Sequence, residues 1–97
     1  MARGYWITAY RAVHDPDKLA KYAAIAGPAI TAGGGKFLAR GVAAITHESG
    51  RKERTVLIEF PSLAAAAATY DSHAYREALA ALGDGAERDI RIIEGVE

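Results

Sequence analysis

The stretch RTVLIEFPSL, residues 54–63, carries the signals that decide the fold. In its first seven residues, successive side chains point to opposite faces of a predicted strand. Val56, Ile58 and Phe60 lie on one face, and Leu57 lies on the other. On the first strand, Tyr5 to Val13, large apolar groups on both sides predict a sheet that is covered on both faces. Ser62 follows Pro61 and is a typical N-cap residue, so the spacing predicts a helix directly after the strand.

Towards the C-terminus, the alanine-rich run after Ser62 predicts a helix that packs close to a sheet. Asp71-Ser72 predicts a break and a new cap, and an apolar stripe continues to Leu82. Gly83 to Gly85 should end this second helical segment. Residues 90–96 are predicted to form the last strand.

Towards the N-terminus, alternation from Tyr5 to Val13 predicts the first strand. Asp15-Pro16 is a strong helix start, since Asp15 can cap and proline suits the first helical position. Gly27-Pro28 should kink or restart this helix, because proline lacks an N–H and clashes with the preceding turn. The glycines at 33–35 should end it.

The second strand is expected from Lys36 to Gly41 and is expected to continue through Thr46. On it, Phe37 and Ala39 are assigned to one face, and Leu38 and Arg40 to the other. Residues 48–51 read as a turn, so the second and third strands should form a hairpin.

The resulting order, β-α-β-β-α-β, predicts an α+β fold: a ferredoxin-like sandwich whose four-stranded antiparallel sheet carries helices on one face. We expect the helix-free face to hold Trp6, Tyr10, Leu38 and Leu57, which together are too apolar to leave in water. A second copy of the same sheet is the simplest cover, so the sequence predicts a homodimer.

Composition narrows the function. The 97 residues fit one domain, 1–97, with 12 basic and 12 acidic side chains and no cysteine. Zero net charge argues against a nucleic-acid or membrane partner, and we expect a cytoplasmic protein without a signal peptide.

Several motifs together resemble one family, domain of unknown function 1330. They are residues 34–41, residues 56–62, the spaced set Tyr70, Ser72 and Tyr75, and the ending 93–96, with Asp15, Tyr22 and Pro28 in matching places. The resemblance spans essentially the whole chain. It implies a dimeric α/β barrel, in a superfamily that includes cofactor-free monooxygenases, haem-degrading enzymes and lactone isomerases. It implies no particular reaction.

Arg40 and Glu59 are the candidate catalytic and ligand-binding pair. If both point away from the helices into a dimer cavity, Arg40 could hold an anionic or enolate oxygen while Glu59 acts as a base. The alternative is a structural ion pair across the hairpin or the dimer seam.

Tyr22, Tyr70 and Tyr75 are further ligand-binding candidates, because their phenols could donate to a ligand carbonyl. The alternative for each is core packing with the hydroxyl at an edge. His14, His47 and His73 show no metal-ligand spacing, so no metal is expected. Only Trp6 and His73 would support a haem site, through their similarity to parts of haem-degrading relatives. No cofactor is therefore expected.

Three functions therefore remain open. The first is the binding of a small anionic or carbonyl-bearing molecule on the helix-free face. The second is a cofactor-independent monooxygenase-like or isomerase-like enzyme, and the third is a purely structural dimer.

Overall fold

A computed structural model describes residues 2–96 of the chain. Its elements are β1 (Gly4–Val13), α1 (Pro16–Ala32), β2 (Lys36–Val42), β3 (Arg54–Phe60), α2 (Leu63–Tyr70), α3 (His73–Leu82) and β4 (Ala86–Glu94). The four strands form one antiparallel sheet in the order β2-β3-β1-β4. The predicted α+β, ferredoxin-like architecture is therefore confirmed, with the second helix divided into α2 and α3.

The helix boundaries follow the predicted caps. Asp15 accepts hydrogen bonds from the backbone N–H groups of Asp17 and Lys18 at the start of α1. Ser62 and Ser72 each accept from the backbone N–H three residues later, at the starts of α2 and α3. These side chains satisfy N–H groups that have no partner inside the helix.

Two predictions about strand limits are wrong. β2 ends at Val42 rather than continuing to Thr46, and β4 begins at Ala86, four residues before the predicted start. Of the two outcomes predicted at Pro28, a kink or a restart, the restart does not occur, since α1 runs without a break to Ala32.

The face assignment of the first strand is the main correction. Trp6 and Tyr10 are buried among the helices rather than on the helix-free face. The Trp6 ring lies 5.0 Å from the Tyr75 ring of α3 in an edge-on arrangement and 6.0 Å from the Phe60 ring. The alternate set, Tyr5, Ile7 and Ala9, is half-buried and occupies the helix-free face.

A β-bulge at Leu38 overturns the predicted faces of β2. Pairing steps from Phe37 opposite Ile58 to Ala39 opposite Leu57, which leaves Leu38 as an extra residue. One extra residue reverses the side on which every later side chain lies. Phe37 and Arg40 therefore share the helix side, and Ala39 lies on the helix-free side.

None of the helices within residues 2–96 combines the length and apolar character that a bilayer crossing requires.

Candidate functional site

A cleft opens between α1 and strands β1, β3 and β2. Its volume is about 40 Å³. Its floor on the sheet is formed by Trp6, Thr8, Tyr10, Phe37, Arg40, Arg54, Val56 and Ile58, and its ceiling on α1 by Tyr22, Ala23, Ala26, Gly27 and Ile30. We call it the α1 cavity.

Small side chains on α1 leave this space open. Ala23, Ala26 and Gly27 face the sheet in consecutive turns, where larger residues would fill the gap. A Cβ built on Gly27 would meet no atom within 4 Å beyond its chain neighbours. Ala23 and Arg40 are exposed and mark the mouth of the cavity.

Two arginines enter the cavity from the sheet. The bulge at Leu38 turns Arg40 to the helix side, where its guanidinium carbon lies 4.7 Å from the centre of the Phe37 ring. The Arg54 guanidinium carbon lies 5.9 Å from the Tyr10 ring. The Arg54 Nε is buried and has no hydrogen-bond partner within residues 2–96. A buried cationic donor without an acceptor is costly, so this atom is notable.

Arg88 lies behind the cavity on β4. Its guanidinium carbon is 4.6 Å from the Tyr22 ring and 5.6 Å from the Tyr10 ring, both of which line the cavity. Its Nη1 is also buried and lacks a partner in the described part of the chain. The positive charge of this region therefore extends beyond the two lining arginines.

Two hydrogen bonds hold the hydroxyl groups around the cavity. The Tyr22 and Tyr75 hydroxyl oxygens are 2.6 Å apart, and the Trp6 Nε1 donates to the Thr8 Oγ1 over 2.9 Å. Burial raises the pKa of the Tyr75 hydroxyl above its usual range, so this group stays protonated at neutral pH.

The structure separates the predicted pair Arg40 and Glu59. Arg40 pairs in register with Val56 on the helix side, whereas Glu59 pairs with Tyr5 on the helix-free side. The Tyr5 hydroxyl donates to the Glu59 carboxylate over 3.0 Å, and Arg3 lies 3.5 Å from the same side chain. The hypothesis that the two share a cavity is wrong, because it assumed β2 without a bulge.

The three predicted tyrosines lie together under the helices. Tyr22 lines the cavity, while Tyr75 is fully buried behind it. The Tyr70 ring lies 5.5 Å from Trp6 and 5.2 Å from Tyr75 and does not line the cavity. The hydroxyls of Tyr22 and Tyr75 are partners of each other, not of groups at an edge as the packing alternative expected.

Sequence reasoning missed Thr8, Arg54 and Arg88 as site residues. A signal was present for two of them. Arg54 shares the strand side of Val56 and Ile58, and Thr8 lies between Trp6 and Tyr10 on the same side of β1. Arg88 carried no comparable signal, because its strand was predicted to begin after it.

Within residues 2–96 the structure shows no cluster of three or more His, Asp or Glu side chains that could hold a metal. His14 and His73 each lie close to one carboxylate, Glu87 at 3.1 Å and Glu77 at 2.9 Å, on exposed surfaces.

Comparison with known proteins agrees with this architecture. The family model of the domain of unknown function DUF1330 matches residues 3–96. A crystal structure of a protein of unknown function from Rhodopseudomonas palustris is 22% identical, with a TM-score of 0.71, covering 96% of this chain and 80% of that one.

Two more distant structures share the fold. SnoaB, a cofactor-independent oxygenase from Streptomyces nogalater, is 12% identical with a TM-score of 0.67 over 100% of this chain and 96% of its own. A dimeric ferredoxin-like protein of unknown function from Thermobifida fusca is 16% identical with a TM-score of 0.62 over 99% and 92%. No curated protein matches the chain.

Proposed function

The chain belongs to the DUF1330 family, and we propose that it binds a small organic anion in the α1 cavity. The observation that carries this proposal is the polarity of the lining. Arg40 and Arg54 can only donate hydrogen bonds, and among the described residues no Asp, Glu or His lines the cavity.

An anion suits this lining better than a neutral molecule. Arg54 is half-buried, and a partly desolvated guanidinium without a counter-ion bears a cost that a bound carboxylate would offset. Arg54 Nε has no partner within residues 2–96, and Arg88 adds positive charge behind the cavity. Charge-assisted hydrogen bonds from arginine to an oxyanion are about twice as strong as neutral ones.

The size of the cavity limits the ligand. About 40 Å³ admits an anionic head and few further atoms. Any larger apolar body would lie at the mouth, against Phe37 and Ala23. The site proposed here is thus on the helix side of the sheet, and not on the helix-free face where the sequence pattern suggested it.

The roles of the sequence candidates change accordingly. Arg40 is proposed as a ligand contact at the mouth and Tyr22 as a contact in the ceiling. Tyr70 and Tyr75 are proposed to support the cavity walls, since neither lines it. Glu59 is assigned to the helix-free face, with Tyr5 and Arg3 as its neighbours.

Isothermal titration with matched ligand pairs tests the proposal. Acetate, propionate and benzoate should bind, and the corresponding amides, which have similar shapes but no charge, should bind at least about tenfold more weakly. Equal affinity for carboxylates and amides, or no binding of either, would refute an anion site.

A pair of neighbouring alanines locates the site. Ala23→Leu should block the cavity mouth and abolish binding, since Ala23 lines it. Ala24→Leu is the control, because Ala24 is also exposed on α1 but does not line the cavity. Both substitutions keep a strong helix former, so the fold should be retained. Equal loss of binding in both variants would place the site elsewhere.

The proposed assembly is a homodimer through the helix-free face. Even without Trp6 and Tyr10, that face carries Tyr5, Ile7 and Leu57 at its centre and Ile93, which is 58% exposed, beside Tyr5. Matching sheets from two copies would cover this patch, as expected for a contact with two-fold symmetry. The structurally similar protein from Thermobifida fusca is described as dimeric, which supports pairing of two copies.

Sedimentation equilibrium tests the assembly. Ile93→Lys should shift the protein towards monomer, whereas Leu63→Lys, a change at an exposed apolar residue at the start of α2, should not. If the wild-type protein is a monomer at micromolar concentration, the proposed homodimer is refuted.

Catalysis is the second candidate function. The shared fold with a cofactor-independent oxygenase is compatible with it. The lining described here supplies groups that stabilise an anion, but no carboxylate or imidazole to remove a proton. An enzyme built on this cavity would therefore act on a substrate that arrives ionised or ionises on binding.

A further inference from the structure

We infer that the protein has a second anion site, for a small phosphate monoester, on the opposite side of the sheet from the α1 cavity. The site lies between the helix-free face and the loop of residues 43–53, which connects β2 to β3. Its volume is about 470 Å³, within the range of small-molecule sites. We call it the loop cavity. It does not depend on the proposed function, because no arginine lines both cavities.

The floor of the loop cavity is one end of the helix-free face. Ala9 lies on that face, and Thr55 and Asp89 are its cross-strand partners on β3 and β4. Arg91 lies two residues beyond Asp89 on the same strand and therefore on the same side. All four residues line the cavity. Because Ala9 is two residues further along β1 than Ile7, this floor begins beyond the centre of the proposed homodimer contact.

A β-bulge at Arg11 connects the floor to the loop. Between Tyr10 and Ala12 the pairing of β1 with β4 shifts by one residue and leaves Arg11 as the extra residue. The carbonyl of Arg11 accepts a hydrogen bond from Nη1 of Arg51, a loop residue, over 3.4 Å. Bulges of this kind redirect side chains and are common beside functional sites. The bulge therefore brings two arginines together at the edge of the cavity.

Two guanidinium groups meet at one carboxylate in the loop cavity. Arg91 donates from Nε and Nη2 to the two carboxylate oxygens of Asp89, each over 3.2 Å. Nη2 of Arg11 lies 3.6 Å from Oδ2 of the same side chain. The hydrogen bonds from Arg91 hold the pKa of Asp89 below its usual range, so the carboxylate is ionised at neutral pH. It keeps the two guanidinium groups next to each other.

The arginines outnumber the carboxylates that could neutralise them. Arg11, Arg51 and Arg91 line the loop cavity, and Asp89 is the one acidic side chain among its described lining residues. Two positive charges are therefore in excess, in a chain whose formal net charge is zero. Asp89 engages two of the three nitrogens of Arg91, and the third has no partner among the hydrogen bonds of residues 2–96.

A phosphate monoester suits this arrangement. Arginine matches phosphate oxygens through paired N–H···O bonds, which are about twice as strong as neutral ones. A monoester carries about 1.5 to 2 negative charges at neutral pH, which balances the excess of the lining, whereas a carboxylate would balance half of it. Ile45 lines the same cavity and is 77% exposed, so it offers an apolar surface to the organic part of the ligand.

Calorimetric titration with phenyl phosphate at low ionic strength tests the inference. Phenyl sulfate has a similar shape but a single charge, and it should bind at least about tenfold more weakly. Inorganic phosphate has no organic part to contact Ile45, and it should bind at least about threefold more weakly than phenyl phosphate. Equal affinities for phenyl phosphate and phenyl sulfate, or for phenyl phosphate and inorganic phosphate, would refute a site for a phosphate monoester.

Three arginine variants locate the site. Arg11→Gln and Arg91→Gln should each weaken the binding of phenyl phosphate at least about tenfold, since each removes charge-assisted hydrogen bonds. Arg76→Gln is the matched control, because Arg76 is exposed on α3 and has its own carboxylate neighbour, Asp71 at 3.8 Å, but does not line the cavity. All three variants remove one positive charge. Circular dichroism checks that each variant keeps the fold.

Ala23→Leu separates the two anion sites. It should leave the binding of phenyl phosphate unchanged while it abolishes that of benzoate, because Ala23 lines the α1 cavity and not the loop cavity. If Ala23→Leu also abolishes the binding of phenyl phosphate, the ligand lies in the α1 cavity and the inference is refuted, whereas the proposed function stands. If phenyl phosphate does not bind, or if Arg76→Gln weakens it as much as Arg11→Gln, the inference is likewise refuted.

Discussion

Replacing Pro28 by alanine should stabilise this protein. Pro28 lies inside α1, which continues four residues beyond it to Ala32. Its ring removes the backbone hydrogen bond to the carbonyl of Ala24 and crowds that carbonyl. Proline in a helix interior costs about 3 kcal/mol relative to alanine.

Two effects reduce the gain. Ala24 is exposed, so water can solvate its free carbonyl. Proline also restricts the unfolded chain, a benefit of about 0.4–1 kcal/mol that Pro28→Ala forfeits. The net expectation is an increase of about 2 kcal/mol in the free energy of unfolding, which for a domain of this length raises Tm by about 8–16 °C.

Thermal and urea unfolding, followed by circular dichroism, measure this change. Pro16→Ala is the matched control, because Pro16 occupies the first position of α1, where no hydrogen bond is lost. That variant should be unchanged or less stable by up to about 1 kcal/mol. If Pro28→Ala is no more stable than the wild type, α1 is not strained at Pro28 and the reasoning is wrong.

Three further predictions concern single side chains. Tyr75→Phe should cost about 1 kcal/mol at neutral pH through the lost hydrogen bond. Because burial raises the pKa of Tyr75, the contribution of its hydroxyl to stability is present below about pH 10 and is lost as the pH rises further. If the wild type loses no more stability in alkali than the Tyr75→Phe variant does, this expectation is wrong. The hydrogen bond from Lys18 lowers the pKa of Asp84, so its contribution is present above about pH 4 and is lost as the pH falls. Asp84→Asn should therefore be less stable than the wild type at neutral pH, and a difference in Tm that persists unchanged in acid would count against the pair. Arg54→Met should abolish anion binding in calorimetric titrations without lowering Tm, since it removes a buried and unpaired Nε; a clear loss of Tm would show that Arg54 serves the fold.

The helix starts were predictable because their signals are local. A capping side chain acts on N–H groups two or three residues away, so Asp15, Ser62 and Ser72 each specify a helix start without help from the rest of the chain. The order of elements followed, and with it the ferredoxin-like topology.

The candidate site was predictable only in part. Arg40 and Tyr22 were found, but Arg40 was placed on the wrong face and was paired with Glu59. The error came from Leu38, whose bulge depends on how β2 pairs with β3 and leaves no mark in the alternation of residues. Thr8 and Arg54 were overlooked because a single polar residue among apolar neighbours resembles a tolerated core residue.

By itself the sequence determined where the helices begin, the order of the helices and strands, and the two alternating sets on β1. It could not determine which set faces the helices, because Trp6 and Tyr10 on one side and Tyr5 and Ile7 on the other are both apolar enough to be buried. The packed structure decided this, since the Tyr75 ring lies 5.0 Å from the Trp6 ring and Tyr22 lines the α1 cavity together with Trp6 and Tyr10. Local signals act over a few residues, whereas the choice of face depends on contacts between elements that are far apart in the chain.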